Sequence, residues 1–294
     1  MIMKKAMTTK SHFEQINLAL VYVQNNFNSI ITVEELAKIS AYSVFHFHRI
    51  FKEVTGQSVN NYIRNTRLEK ASNLLLYNNH KSIQMIALEC GFSTATSFTQ
   101  AFKKMFSMTP KDWKKGGYTQ KNSKKTFSMI EADESIIINP PEIVNSENIP
   151  ILYTRVYKYE NDISLIWHEM HEWCEAMNIL EKPHKYIGLF HNHPSFLSYN
   201  TMRYSACIRT DEDINPSGKV GRCNLSCGKF AKFKFNCSHQ ELYKMMHLAY
   251  INWLQGSKYE VRNFPAYVEY KNPEYLMCNG VLEVDFYLPI QIIL

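Results

Sequence analysis

SIQMIALECGFSTATSFTQAFKKMFSMTPKDWKK, residues 82–115, reads as helix, tight turn, helix and stop. Ser82 offers its hydroxyl to an orphan backbone N–H at the start of the first helix. Ile83, Ile86 and Ala87 share one helical face. Gly91 allows the sharp turn, because glycine takes φ > 0 at little cost. Phe98, Ala101, Phe102 and Met105 give a second apolar stripe at spacings of three and four. Thr109-Pro110 closes the unit, since a residue before proline is pushed out of the helical region. The other face of the second helix carries Thr96, Ser97, Thr99, Gln100 and Lys103. Short hydroxyl and amide side chains followed by a cation suit base edges first and phosphate next. One such unit alone reads as an ordinary helical hairpin with a solvated face.

The pattern occurs twice. TVEELAKISAYSVFHFHRIFKEVTG, residues 32–56, is the earlier copy. Thr32 and Glu35 form a T-x-x-E capping box. Leu36 and Ala37 match Ile86 and Ala87; Phe47, Ile50 and Phe51 match Phe98, Ala101 and Phe102. The offset is 50 before the turn and 51 after it, so the second turn is one residue longer. A repeat at nearly fixed offset is far stronger evidence than either copy alone. Ser43 caps the second helix of this copy. Its outward residues are Val44, Phe45, His46, His48, Arg49 and Lys52, and Arg49 aligns with Gln100. Arginine can grip guanine O6 and N7 with two hydrogen bonds, and Phe45 suits a thymine methyl. His46 and His48 are base or phosphate contacts, or plain surface residues.

Residues 11–115 carry the signature A-x-E-C-G-F-S…F-x-x-x-F-K-K-x-F-x-x-T-P, and the segment resembles the DNA-binding domain of AraC/XylS-type transcription regulators. The resemblance implies two helix-turn-helix units, 32–56 and 82–107, joined by one long helix. Their recognition helices enter the major groove about one DNA turn (~34 Å) apart. Here that long helix is Ser58–Tyr77, with Val59, Tyr62, Ile63, Ala71, Leu74 and Leu75 inward. Ahead of it a first helix, His12–Phe27, follows a Ser11 cap and buries Ile16, Leu20, Val23 and Phe27. Ala41 and Ser107 stand where the family often has glycine.

Charge is divided along the 294 residues. Residues 1–120 hold 15 Lys and Arg against 7 Asp and Glu, and the remainder 18 against 20. A basic front and a slightly acidic rear fit a nucleic-acid binder fused to something else. No apolar run reaches ~18 residues, so no membrane span is expected. The start, MIMKKAMTTK, lacks the apolar core of a secretory signal. Seven cysteines, an odd number, point to reduced thiols and a cytoplasmic setting. GGYTQKNSKKT, residues 116–126, opens on two glycines and turns polar and basic, which reads as a linker. Domain boundaries at 1–115 and 127–294 follow.

The rear part changes rhythm. Strands are expected at Asn148–Tyr159, Tyr186–His191, Thr201–Arg209, Gly228–Asn236, Pro265–Tyr270 and Val281–Ile290, with helices at Ile163–Ile179 and His239–Leu254. The order is strand-helix-strand-strand, twice. The fold class is therefore multi-domain: an all-α tandem helix-turn-helix domain, then an α+β domain of two pseudo-symmetric halves with a cleft between them. GKFAKF (228–233), NWL (252–254), FPAYVEYKNP (264–273) and DFYLPI (285–290) resemble the GyrI-like effector-binding domains. In that family an acidic residue at the base of an aromatic cleft attracts cationic or amphipathic small molecules. The residues matching that role are Glu269 and Asp285, with Glu283 on the face of Asp285 by strand alternation. Aromatic lining is expected from Trp167, Trp173, Tyr204, Tyr270, Phe286 and Tyr287. A buried carboxylate needs a partner, which a ligand cation supplies; otherwise these groups pair with Lys or Arg, or lie in water.

Cys223, Cys227, Cys237 and His239 form a loose thiol and imidazole group, and His191-x-His193 a second, but neither has a standard zinc spacing. No metal and no cofactor are expected. The function expected is a sequence-specific transcription regulator with double-stranded DNA, RNA polymerase and a small effector as partners. Two alternatives are a regulator whose rear domain is a ligand-free interaction module, and a small-molecule hydrolase fused to a DNA-binding domain. No nucleophile–base–orienter set is visible for the hydrolase, so no enzyme is expected.

Overall fold

The computed structural model describes residues 2–78, 80–116, 138–155, 163–179, 184–191, 204–276 and 280–293. It divides into two compact units, 1–117 with 214–221, and 118–213 with 222–294. The linker expected at 116–126 lies, beyond Gly116, outside the described residues, as do residues 156–159 and 201–203 of two expected strands, and His193.

The front unit is helical: α1 Ile2–Asn26, α2 Val33–Ile39, α3 Val44–Thr55, α4 Val59–Tyr77, α5 Ile83–Glu89, α6 Ala95–Phe106 and α7 Pro110–Lys114. α1 runs straight through Ser11, so the expected cap there is corrected; the residues before it (Met, Lys, Ala, Thr) contain no helix breaker. Its expected core face is buried: Ile16, Leu20, Val23 and Phe27. The Thr32 box is half made. Thr32 Oγ1 accepts from the Glu35 N–H at 3.1 Å, while the Glu35 carboxylate accepts from the Tyr22 hydroxyl of α1.

α4 is the spine. Val59, Tyr62, Ile63, Ala71, Leu74 and Leu75 are all buried, and α3, α5, α6 and α7 pack on it. Trp113 of α7 donates its indole N–H to the Ser72 carbonyl at 3.1 Å and meets the Phe102 ring edge-on. Gly91 takes φ 79° in the second turn. A Cβ there would stand 2.9 Å from the Phe27 carbonyl oxygen, the acceptor that Arg67 Nε also uses at 2.7 Å. The segment 214–221 belongs to this unit: the Gly218 N–H donates to Glu14 at 2.6 Å, and Asn17 Nδ2 to the Lys219 carbonyl at 3.2 Å.

The rear unit has strands β1 Glu142–Ser146, β2 Ile149–Arg155, β3 Lys185–Phe190, β4 Tyr204–Arg209, β5 Gly221–Leu225, β6 Gly228–Cys237, β7 Tyr259–Val261, β8 Ala266–Tyr270 and β9 Leu282–Ile292. Helix α8 is Ile163–Ala176, and α9 is His239–Leu248, widening to a π turn over Ala249–Leu254. Ser238 and Glu241 close a full capping box on α9. The strand order is β1-β6-β9-β8-β3-β4-β2-β5, with β7 on β9. The two strand-helix-strand-strand runs meet where β3 pairs antiparallel with β8, from Tyr186 opposite Tyr270 to Phe190 opposite Ala266. Their boundary is thus continuous sheet. β1, β5 and β7 were not expected.

Both helices lie on one face of that sheet. Trp167 of α8 contacts Tyr186, Tyr204 and Tyr270; Tyr243 of α9 contacts Phe190; Tyr250 and Trp253 contact Phe286 and Phe233. Strand alternation then assigns Phe230, Lys232, Tyr267, Glu269, Asp285 and Tyr287 to the opposite face.

Candidate functional site

On α3 Phe47, Ile50, Phe51, Val54 and Thr55 are buried, which turns Phe45, His48, Arg49 and Lys52 outward. Ser43 caps it by accepting from the His46 N–H at 3.4 Å. Phe45 is 85% exposed, next to a 38% exposed Val44. His48, Arg49 and Lys52 are exposed and His46 half-buried. α6 repeats the arrangement. Phe98 and Phe102 are buried, Thr94 caps by accepting from the Ser97 N–H at 3.1 Å, and Thr96, Ser97, Gln100 and Lys103 are exposed. Thr99 is half-buried and gives its hydroxyl to the Ala95 carbonyl at 2.8 Å.

Two residues outside the expected set join the first face. Tyr42, from the turn, has its hydroxyl 2.6 Å from His12 Nδ1 of α1. Both rings pack edge-on against His46, with centroids 4.9 and 5.7 Å away. Burial lowers the His12 pKa first, with help from His46 and Arg49 and against the pull of Glu53. His12 is 30 positions from Tyr42 and on another helix, so no local pattern could have revealed the pair.

In the rear unit the carboxylates lie side by side. Glu269 and Asp285 are directly opposed on β8 and β9 and are buried. Lys271 Nζ bridges them, 2.6 Å from Glu269 Oε1 and 3.0 Å from Asp285 Oδ2. Lys185 of β3 reaches Glu269 at 3.2 Å, and Lys232 of β6 reaches Asp285 at 3.2 Å. The result is a line of alternating charge across four strands. Burial works against the Lys271 charge, but its hydrogen bonds to Glu269 and Asp285 raise its pKa. Beside the carboxylates, Tyr267 and Tyr287 stack with centroids 4.4 Å apart, and Phe230 packs against both. Arg262 rests over Phe230 and Phe264.

The expected aromatic lining is split. Tyr287 shares the face of Glu269 and Asp285, as does Glu283, which is exposed. Trp167, Trp173, Tyr204, Tyr270 and Phe286 are on α8 or on the helix-covered face. There Trp167 Nε1 donates to the Tyr204 hydroxyl at 3.0 Å, and that hydroxyl lies 3.3 Å from the Tyr270 hydroxyl. Desolvation pushes the Tyr270 phenol up to about 12. Gly188 fits beneath these hydroxyls because a Cβ would collide with the Tyr204 oxygen. Lys185 and Lys232 sit on other strands, and only the sheet register brings them to the carboxylates; Lys271, two residues past Glu269, could have been found from strand alternation. Among the described residues no group of three His, Cys, Asp or Glu is placed to hold a metal ion, and no helix is long and apolar enough to cross a membrane.

The GyrI-like small molecule binding domain matches residues 139–291, more than half of the chain. The chain belongs to the GyrI-like family. In front of that GyrI-like domain a helix-turn-helix domain of AraC type matches residues 36–116. Among curated relatives, the uncharacterized HTH-type transcriptional regulator YbfP of Bacillus subtilis is 42% identical over 89 residues, 30% of each protein. The transposon Tn10 TetD protein of Escherichia coli is 35% identical over 99 residues, 34% of this chain and 71% of that protein. The transcriptional regulator Rob of Salmonella typhimurium is 36% identical over 91 residues, 31% of each. The chain thus spans about a third of the length of YbfP and of Rob. The GyrI-like chain therefore joins an AraC-type DNA-binding domain to a small-molecule-binding domain.

Proposed function

We propose that the protein is a one-component transcription regulator whose front unit reads double-stranded DNA and whose rear unit binds a small effector that alters that reading. The observation that carries the first half is the pair of outward faces on α3 and α6, at matched positions over matched buried phenylalanines. Arg49 reads a guanine through O6 and N7, Phe45 meets a thymine methyl, and Lys52 and Lys103 take phosphates. Thr96, Ser97 and Gln100 read the second half-site, some of it through water. His48 adds a backbone contact. RNA polymerase is the partner through which bound DNA is turned into a transcriptional response, and the setting is cytoplasmic.

In the rear unit the two strand-helix-strand-strand runs are halves related by a pseudo-twofold axis near the β3–β8 ladder. The strand order β6-β9-β8 followed by β3-β4-β2 supports this. The effector is a small cationic or amphipathic molecule. Its positive group takes the place of the Lys271 ammonium between Glu269 and Asp285; the Lys271 side chain is 40% exposed and is the most replaceable member of the line with both carboxylates in reach. Tyr287 and Tyr267 offer ring faces beside it. The two arrangements of the protein, with and without effector, differ in DNA affinity by no more than the effector's own preference between them.

Thermal unfolding of the full-length protein with tetraphenylphosphonium and related lipophilic cations tests the effector class. A binding cation present at 100 times its Kd adds about 2.7 kcal/mol of stability. That gain is expected in the wild type and absent from a Glu269→Gln, Asp285→Asn variant. No gain with any cation would favour a rear domain that serves protein interaction, a reading to which the lysines already paired with both carboxylates lend weight.

A further inference from the structure

We propose that His46 is a positioning residue for base recognition: its imidazole holds the Arg49 guanidinium in the orientation from which Arg49 reads its base. The proposal rests on the assignment of Arg49 as a base reader. Arg49 Nη2 lies 3.2 Å from His46 Nδ1, three positions earlier on α3. Positions three apart on a helix face one another. Arginine has five N–H donors and no acceptor, so the guanidinium donates and Nδ1 accepts. The His46 proton is therefore on Nε2.

Two other pieces of chain fix the ring that does this. Tyr42, in the turn before α3, meets His46 edge-on at an interplanar angle of 78°. His12, from α1, meets it at 65°. Tyr42 and His12 are themselves bonded at 2.6 Å. Burial raises the Tyr42 pKa, so its neutral hydroxyl remains the partner of His12 Nδ1. The imidazole of His46 is thus held by packing before DNA arrives. Arg49 spends one Nη2 N–H on it and keeps four, at least one on each terminal nitrogen, for a grip on O6 and N7. An exposed arginine otherwise samples many rotamers, and ordering them is a cost of binding that a pre-set side chain has already met.

The second recognition helix lacks the device. Ser97 and Gln100 occupy the matched positions, and Ser97 Oγ donates to the Thr94 carbonyl at 3.0 Å. Thr94 Oγ1 in turn donates to Ser97 Oγ at 3.0 Å. The serine serves the helix start and not its neighbour one turn on. Sequence preference should accordingly be sharper in the block read by α3 than in the block read by α6.

Selection of bound sequences from a random double-stranded DNA pool, with the full-length protein, tests this. Arg49→Ala identifies the base position that Arg49 reads, as the one whose preference disappears. At that position His46→Leu, which fills space without an acceptor, should lower the preference roughly threefold to tenfold, the effect of freeing one rotamer-rich side chain. Other positions and the salt dependence should not change. His46→Asn, whose Oδ1 falls near the place of Nδ1, should restore the preference. An unchanged preference in His46→Leu, a loss at some other position, or no rescue by asparagine would each overturn the proposal. If Arg49→Ala flattens no position, the assignment of Arg49 fails and the proposal with it, and that result cannot be confused with a failure of the His46 variants alone.

Discussion

Ala41 and Ser107 hold left-handed backbone, φ 55° and 56°, where the matched positions of the other repeat carry Gly91 and Gly56 at 79° and 76°. Each repeat therefore uses glycine at one of its two left-handed positions and a strained residue at the other. A Cβ in this region costs about 1 kcal/mol. Ala41→Gly and Ser107→Gly should each stabilise the front unit by about that amount in urea titrations, less a few tenths for the freer unfolded chain. Gly91→Ala should destabilise it, because the new Cβ would stand 2.9 Å from the Phe27 carbonyl oxygen. These positions were legible from the repeat itself, since the alignment of Ala41 with Gly91 needs only the two turns. The neighbours of His46 were not legible. Tyr42 and His12 reach it from a turn and from another helix, and helical spacing says nothing about such contacts.

Helices with a strong apolar stripe were placed almost to the residue, because a period of 3.6 repeated over three turns has few rivals. α3 and α6 are examples, and so is α4 with its expected inward residues buried. The strands β5 and β7 were missed: β7, three residues long, is too short to show an alternation, and β5 is buried only at its ends, Gly221 and Leu225. The faces of the long strands were harder than the strands. In β8, Tyr267 and Glu269 turn one way and Tyr270 the other, so a list of aromatics near a carboxylate in sequence mixes two faces. α9 carries its own prediction. His247 is buried, and desolvation lowers its pKa from 6.5 to about 4. The unfolded chain binds this proton at higher pH than the folded one, so the penalty is absent above about pH 6.5 and grows as pH falls towards 4. It reaches at most about 3 kcal/mol. Urea unfolding of the rear unit should show stability falling between pH 6.5 and 4.5 in the wild type and a flatter profile in His247→Phe. Equal slopes in the two proteins would mean that His247 does not carry the effect.

A basic front and an acidic rear were visible in the charge count, and the change of hydrophobic rhythm after residue 127 separated them. The proposed coupling of DNA reading to effector binding requires that both units respond to one ligand. Two recognition helices in a single chain can read an asymmetric site without a second copy, and their blocks must then fall about one helical turn apart. The most direct measurement is capture of fragmented genomic DNA by the purified full-length protein, followed by titration of the best fragment over a range of salt concentrations. The expected result is enrichment of a site with two short blocks one turn apart, bound with an affinity that falls steeply with salt. Fragments enriched no more than random DNA, with or without a lipophilic cation, would contradict the account of this chain as an effector-controlled reader of DNA.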